Sequence, residues 1–309
     1  MNPVIAELDP ADINKACQLF KNVFGQTVTA TAWYWKYAHG PRLGAVNLVA
    51  RSTDGELLGH AGASVFAGTA GGEPLSMAQV CDVMVLDSAR GGLAADNVYP
   101  RLIKALQQTL SMRFTSPYAY GFAGVRPFKL GARMGFYREL QRCRPGYFVE
   151  PAKRTFDGKL WRAREIPWDL SRLDRIWLRR ASGLTRPTVL RTAAYLAWRY
   201  RDHPSNSYRL WVLTHLMRDR GWLITRTLPD GEICVVDSLI PEAADPTRLV
   251  AALATAIASS SSAVPPIHAW FLPSDPSQGV PIMGSQVLVD RWHTEELMPR
   301  FQPGDTDVY

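Results

Sequence analysis

Between residues 77 and 111 the period of the apolar positions changes, and the change marks a strand, a turn and a helix in succession. Cys81 to Met84 alternate as a buried strand does, inside a strand predicted over 77–86. From Val98 the spacing lengthens: Val98, Leu102, Ile103, Ala105, Leu106 and Leu110 share one face of a helix predicted over about 94–111. Upstream, Ala16, Leu19, Phe20 and Val23 set a helix over Pro10–Phe24, with Asp9 as its cap. Residues 31–38 form a short aromatic segment, and strands at 45–52 and 57–67 meet at an Asp54-Gly55 hairpin turn. A glycine-rich connection (Gly68, Gly71, Gly72, Pro74) follows. Downstream come a strand at 118–123, a helix over 126–134 ended by Gly135-Phe136, and a strand near 137–149. A helix between the third and fourth strands of a mostly antiparallel sheet is an α+β pattern.

The second half repeats part of this order. Trp35-Lys36-Tyr37-Ala38-His39-Gly40-Pro41 has a counterpart in Trp198-Arg199-Tyr200-Arg201-Asp202-His203-Pro204. Strands at 208–214 and 221–227 follow, then an Asp230-Gly231 hairpin, a strand at 232–240, a helix at 246–259 and a strand at 266–272. Two similar halves are therefore expected, residues 1–150 and 191–309, each a mixed, mostly antiparallel sheet flanked by helices. A basic helical linker over 151–190 joins them.

The turn after the strand at 77–86 carries the first chemical signal. A strand running into a glycine turn and a helix start gathers free backbone N–H groups at the positive end of a helix dipole, which suits a pyrophosphate. Arg90 adds a charge there. In the second half Ile240-Pro241-Glu242-Ala243-Ala244-Asp245 takes the place of this turn, with no glycine and two acids that repel phosphate. Nucleotide binding is expected of the first half alone.

Composition narrows the setting. The chain has 309 residues, 47% hydrophobic and 20% charged, enough for a substantial core in a soluble protein. Its best apolar run, Leu249 to Ala258, falls short of the roughly 18 residues of a membrane span. The first residues carry neither a basic region nor a long apolar core, so a cytoplasmic setting is expected. Cys17, Cys81, Cys143 and Cys234 lie far apart and fit free thiols there. The net charge of +7 is concentrated between Lys153 and Arg201, opposed in that span by Asp157, Glu165, Asp169 and Asp174. Such a region suits an anionic membrane, nucleic acid or an acidic carrier protein. It better suits a solvated helix face whose other side, Trp168, Leu170, Leu173, Ile176, Trp177 and Leu178, packs on a core. Nucleic acid ranks last, since no nucleic-acid fold signature accompanies the arginines.

Three motifs carry a resemblance. They are Asp82-Val83-Met84-Val85 followed by Arg90-Gly91-Gly92-Leu93-Ala94, then Gly121-Phe122-Ala123-Gly124-Val125-Arg126-Pro127, then Met134-Gly135-Phe136. With them the chain resembles the GNAT superfamily of acyl-CoA-dependent N-acyltransferases, in particular its tandem members. The resemblance implies that the strand at 81–86 diverges from that at 118–123 and that the pantetheine arm of acetyl-CoA enters between them. Val83, Met84 and Val85 would pair with it through their backbones. Arg90, Gly91, Gly92, Leu93, Ala94 and Ala95 would hold the pyrophosphate, with Gly124 and Arg126 completing the cofactor site. The implied reaction moves an acetyl or short acyl group from coenzyme A to a primary amine of a small molecule, without a metal. It needs a base, an acid for the leaving thiolate and an oxyanion donor, the last a backbone N–H near Met84. The second half would be a degenerate copy that shapes the acceptor site. Two alternatives keep the fold: an acyl carrier protein as donor, docked on the arginine-rich middle, or a binding module without chemistry. The sequence departs from the family where Gly131 replaces the usual tyrosine acid, where Gly124 or Val125 replaces an asparagine, and in its shortened glycine turn.

Asp82 is the sharpest catalytic candidate, because a carboxylate in mid-strand must be hydrogen-bonded or face a cleft. It reads as a proton-accepting group, an acceptor-binding group or a structural hydrogen-bond partner. Tyr137 is a candidate acid near Gly131, and the Tyr309 carboxylate, with Asp305 and Asp307, a candidate from the chain terminus. Trp33 and Tyr37, with Trp35, line an acceptor pocket or belong to the core. The six histidines show no metal spacing and read as surface or satisfied side chains. Cys81 has no identifiable histidine partner and reads as an inert thiol.

Overall fold

The alternating segments of the first half assemble in sequence order. In a computed structural model, which describes residues 3–91, 97–148, 160–181, 186–239, 246–259, 265–271 and 280–285, the chain opens with β1 (Val4–Glu7), α1 (Ile13–Phe24) and α2 (Ala30–Tyr37). Then come β2 (Arg42–Arg51), β3 (Leu57–Ala70), β4 (Glu73–Val85), α3 (Val98–Arg113), β5 (Pro117–Gly121), α4 (Val125–Arg133) and β6 (Tyr137–Phe148). Strands β1 to β4 are antiparallel neighbours, whereas β5 lies parallel to β4 after the α3 crossover. Helix α3 buries Val98, Leu102, Leu106 and Leu110 against β2 and β3. Helices α1 and α2 cover other apolar positions of the sheet, with Phe20, Trp33, Val49 and Met84 in one cluster.

The second half runs β7 (Trp161–Ile166), α5 (Leu170–Ala181), β8 (Thr188–Val189) and α6 (Ala193–Leu196). It continues with β9 (Arg209–His215), β10 (Arg218–Thr227), β11 (Ile233–Leu239), α7 (Pro246–Ala258), β12 (Ile267–Phe271) and β13 (Val280–Ser285). Again one parallel pair, β11–β12, follows a helical crossover. The sheet order is β1-β2-β3-β4-β5-β13-β6-β12-β11-β10-β9-β7, so both halves share one path, an α+β architecture. Strand β6 links them: Tyr137–Cys143 pairs with β13 and Arg144–Phe148 with β12. The late strand β13 inserts between β5 and β6 of the first half. One core cluster spans the halves, with Trp35, Phe66, Met77 and Tyr118 alongside Trp177, Trp198, Trp222 and Ile224.

The structure corrects several boundaries. The expected glycine-rich connection is a continuous β3–β4 hairpin, because Gly71 (φ 57°) and Gly72 (φ 86°) supply the two left-handed positions of a tight turn. Helix α3 begins at Val98, later than position 94, after extended Asn97. Strand β5 stops at Gly121 rather than 123. Leu178 is 70% exposed and lies off the buried stripe of α5 that holds Leu173, Ile176 and Trp177.

Candidate active site

The parallel pairing of β4 with β5 runs from Ser76 opposite Pro117 to Val80 opposite Gly121. Beyond that point β4 continues to Val85 alongside β3, while the chain after β5 turns away through Gly124, the residue before α4. The two strands therefore form a fork. Val83, Tyr99, Ala123, Phe128 and Tyr137 gather in one apolar cluster with Ile103 and Phe136, which places them beside it.

Just past the fork β4 carries a bulge, set between the pairs Gly62–Cys81 and His60–Met84. Asp82 sits in it at φ 50°, a left-handed conformation unusual for a side-chain-bearing residue and costing about 1 kcal/mol. Bonds from three sides hold it there. The Lys36 ammonium donates to both carboxylate oxygens, at 2.8 and 2.9 Å, and the Tyr37 hydroxyl donates to Oδ2 at 2.6 Å. His60 Nδ1 lies 2.7 Å from the Asp82 carbonyl oxygen. That oxygen can only accept, so Nδ1 carries the proton. His60 Nε2 faces the side chain of Asn47 at 3.2 Å.

The core of this network is buried, with Lys36 4%, Tyr37 7%, His60 0% and Asp82 9% exposed. Burial alone would raise the Asp82 pKa, but the Lys36 charge and the bonds from Lys36 and Tyr37 outweigh it and hold the group below 3.8. Burial pushes His60 the other way, below 6.5, despite the neighbouring carboxylate, so its imidazole is neutral. The result is a fixed ion pair whose carboxylate is already engaged by the protein's own donors. Such a group positions its neighbours well and is a weak proton acceptor.

Helix α2 delivers Lys36 and Tyr37 because its end is held firmly. Ser64 Oγ donates to the Lys36 carbonyl at 2.8 Å, and the Arg42 guanidinium donates to the carbonyls of Trp35, Lys36 and His39. Arg42 also lies over the Trp198 ring, 5.2 Å from its centroid, and burial pushes its pKa down to about 10. Trp35 and Trp198 stack with centroids 4.8 Å apart. Each indole N–H donates to the other residue's carbonyl, at 3.2 and 3.3 Å. The repeated Trp-x-Tyr segments thus meet face to face, one from each half.

The remaining sequence candidates divide. Trp33 is 1% exposed and packs between Tyr37 and His60, so it is core. Tyr37 is buried with its hydroxyl on Asp82 and 3.3 Å from Cys81 Sγ. Met84 and Val85 are buried on opposite faces of the sheet, Met84 with α1 and α2 and Val85 with α3, and Val83 lines the fork. Arg90 turns back along β4, its Nε donating to the Val85 carbonyl at 3.0 Å and its Nη1 2.5 Å from Asp87. Arg126 is exposed in the first turn of α4. Gly91 is the last described residue of its stretch; Gly92, Leu93, Ala94 and Ala95 lie outside the described residues, as does Tyr309 with the terminal acids.

Tyr137 is buried at the start of β6 and its ring covers Gly131, where a Cβ would stand 2.0 Å from it. The missing tyrosine on α4 and the presence of Tyr137 are therefore one fact: there is room for a single ring. Burial and the neighbouring Tyr99 push the Tyr137 pKa well above 10. Sequence reasoning passed over Lys36, Tyr99 and the part played by His60. Lys36 was the legible one, a cation lodged in an aromatic segment opposite a mid-strand acid. Among the described residues no group of His, Cys, Asp or Glu side chains is placed to hold a metal ion.

Comparison with known proteins agrees with this geometry. Residues 4–140 match the family model for an acetyltransferase (GNAT) domain. No curated protein matches the chain in sequence. Among solved structures, a probable N-acyltransferase from Enterococcus faecalis V583 superposes with a TM-score of 0.65 at 14% identity, over 92% of this chain and 72% of that one. A GCN5-related N-acetyltransferase from Kribbella flavida gives 0.61 at 15% identity, over 91% and 70%. Another from Anabaena variabilis ATCC 29413 gives 0.63 at 13% identity, over 91% and 72%. At such identities the likeness is one of fold. Residues 4–140 thus match a GNAT acetyltransferase domain, and the chain as a whole shares the fold of these N-acyltransferase structures.

Proposed function

We propose that the protein is an acyltransferase that moves an acetyl or short acyl group from coenzyme A to the primary amine of a small molecule, in the cytoplasm. The observation that carries this reading is the fork. Strand β4 runs past its last β5 pair to Val85, and a GNAT-type glycine turn follows in sequence. Backbone groups of Val83 and Met84 suit the pantetheine arm as an added strand would, and the glycine-bearing sequence at 90–95 together with the start of α4 at Gly124 and Arg126 suits its phosphates. The bound thioester would supply the activated acyl group.

The chain's own residues take distinct parts in this proposal. Tyr137, kept neutral by burial, holds a proton on its hydroxyl beside the fork and is the candidate acid. Asp82 acts as a positioning residue: its charge fixes Lys36 and Tyr37 and keeps the β4 bulge in place, so that the backbone near Met84 is set for an oxyanion. Residues 1–150 form the catalytic unit and 191–309 a degenerate second GNAT-like unit that supports α2 through Trp198, while the basic stretch over 151–190 joins them and adds β7 and α5 to the second unit.

Isothermal titration with acetyl-CoA, followed by free-thiol release with a panel of amines, tests the reading. Saturable binding and amine-dependent thiol release are expected, and Tyr137→Phe should lower kcat by about tenfold or more while leaving donor binding intact. Absence of binding at millimolar acetyl-CoA would overturn it.

A further inference from the structure

The β9–β10 hairpin turns through Leu216 and Met217, with His215 paired to Arg218 on either side. Both turn residues adopt left-handed backbone, at φ 50° and 62°, positions that favour Asn or Gly in such a turn. Both point outward: Leu216 is 60% and Met217 97% exposed. Two large apolar side chains thus occupy a strained apex where neither local conformation nor core packing asks for them.

The surroundings of the apex are basic. Arg218 follows it directly and is exposed. Asp219 is bound by Arg172 of α5 at 2.8 Å, and Arg175 and Arg179 are close enough to lower the Asp219 pKa further. Arg172, Arg175 and Arg179, at spacings of three and four along α5, therefore form a stripe that runs to the base of the hairpin.

We propose that this tip and stripe form a peripheral docking site for an anionic lipid surface, with Leu216 and Met217 entering the interfacial layer and the arginines facing lipid phosphates and carboxylates. The shape favours lipid over a protein partner. A convex tip of two side chains buries far less than the roughly 1,000 Å² a specific protein interface requires. A bilayer accepts single apolar side chains, and each nearby Arg adds on the order of tenfold or less in affinity. The inference stands apart from the acyl-transfer reading and predicts where the protein works, not what it converts.

Sedimentation of the full chain with vesicles tests it, using phosphatidylcholine alone and phosphatidylcholine mixed with phosphatidylserine. Binding is expected to the mixed vesicles only and to weaken as salt rises. The double variant Leu216→Asn, Met217→Gly places residues suited to the turn, so it should melt no lower than the parent, yet bind mixed vesicles about tenfold more weakly. Arg175→Ala with Arg179→Ala should weaken binding by a similar factor. No sedimentation with mixed vesicles, or equal binding by the Asn-Gly variant, would overturn the proposal. Capture by poly-glutamate without vesicle binding would overturn it in favour of an acidic protein partner.

Discussion

Asp82 and Asp237 stand at matching places in the two halves, and the difference between them separates scaffold from chemistry. Each lies on a strand that outruns its parallel neighbour, β4 beyond Val80 and β11 beyond Cys234. A ladder irregularity adjoins each, and each accepts a hydrogen bond from the tyrosine of its own Trp-x-Tyr segment, Tyr37 at 2.6 Å and Tyr200 at 2.8 Å. Each also faces a buried cation, Lys36 or Arg191. Asp82 alone of the two has left-handed backbone and is followed in sequence by a glycine-bearing stretch, and its carbonyl accepts from His60. The shared tyrosine–aspartate–cation unit ties a helical segment to a strand. The features confined to Asp82 shape the fork.

Replacing each acid by asparagine breaks the comparison most directly. Asp82→Asn and Asp237→Asn both leave a buried cation without its counter-charge, at a cost of about 3–5 kcal/mol, or roughly 6–15 °C in Tm. Thermal unfolding should show two comparable losses. If the unit is scaffold in both halves and only the first borders the fork, acetyl-CoA titration below the transition should be weakened in Asp82→Asn and unchanged in Asp237→Asn. Equal loss of binding in both would remove the distinction.

The indole pair offers a smaller and symmetric test. Trp35→Phe and Trp198→Phe each keep a stacked ring and remove one indole hydrogen bond, so each should cost about 1 kcal/mol, the Trp35 carbonyl keeping its bond from Arg42 in the second variant. Because both bonds belong to one contact, the double variant should fall short of the sum by about 0.5 kcal/mol or more, measured by urea unfolding. Strict additivity would mean that the two segments do not act as a unit.

The sequence carried the first half well, because its elements are local and their periods clean. Alternation marked β4 and the helical stripe marked α3, and the repeated Trp-x-Tyr segments stack on one another through Trp35 and Trp198. The family resemblance also implied that β4 parts from β5, and they part after the Val80–Gly121 pair. The elements it hid are non-local. Strand β13, Val280-Pro-Ile-Met-Gly-Ser285, contains Pro281 and Gly284, residues depleted in strands, and owes its place to β5 and β6 rather than to its own propensity. The site was hidden for a related reason. Asp82 announced itself as a charge in an apolar strand, but Lys36 and His60 come from a helix and a strand far along the chain, and only the fold brings them together. Gly131 read as a missing acid until the Tyr137 ring was seen to fill its space.

The smallest effect is also the most selective, since it rests on the histidine bonded to the Asp82 carbonyl. His60 is fully buried and its pKa lies below 6.5 in the folded chain, burial being the cause. Once unfolded, it takes up a proton as pH falls through about 6.5, while the folded form resists. The unfolded state then binds more protons, so stability falls with pH, with a slope of up to about 1.4 kcal/mol per pH unit. Asp82 contributes in the same direction at lower pH: its depressed pKa gives stability that is present above 3.8 and lost on further acidification. Melting the parent and His60→Gln from about pH 7 to about pH 5 isolates the first window. The parent should lose Tm more steeply than the variant over that range, and parallel curves would show that His60 titrates alike in both states.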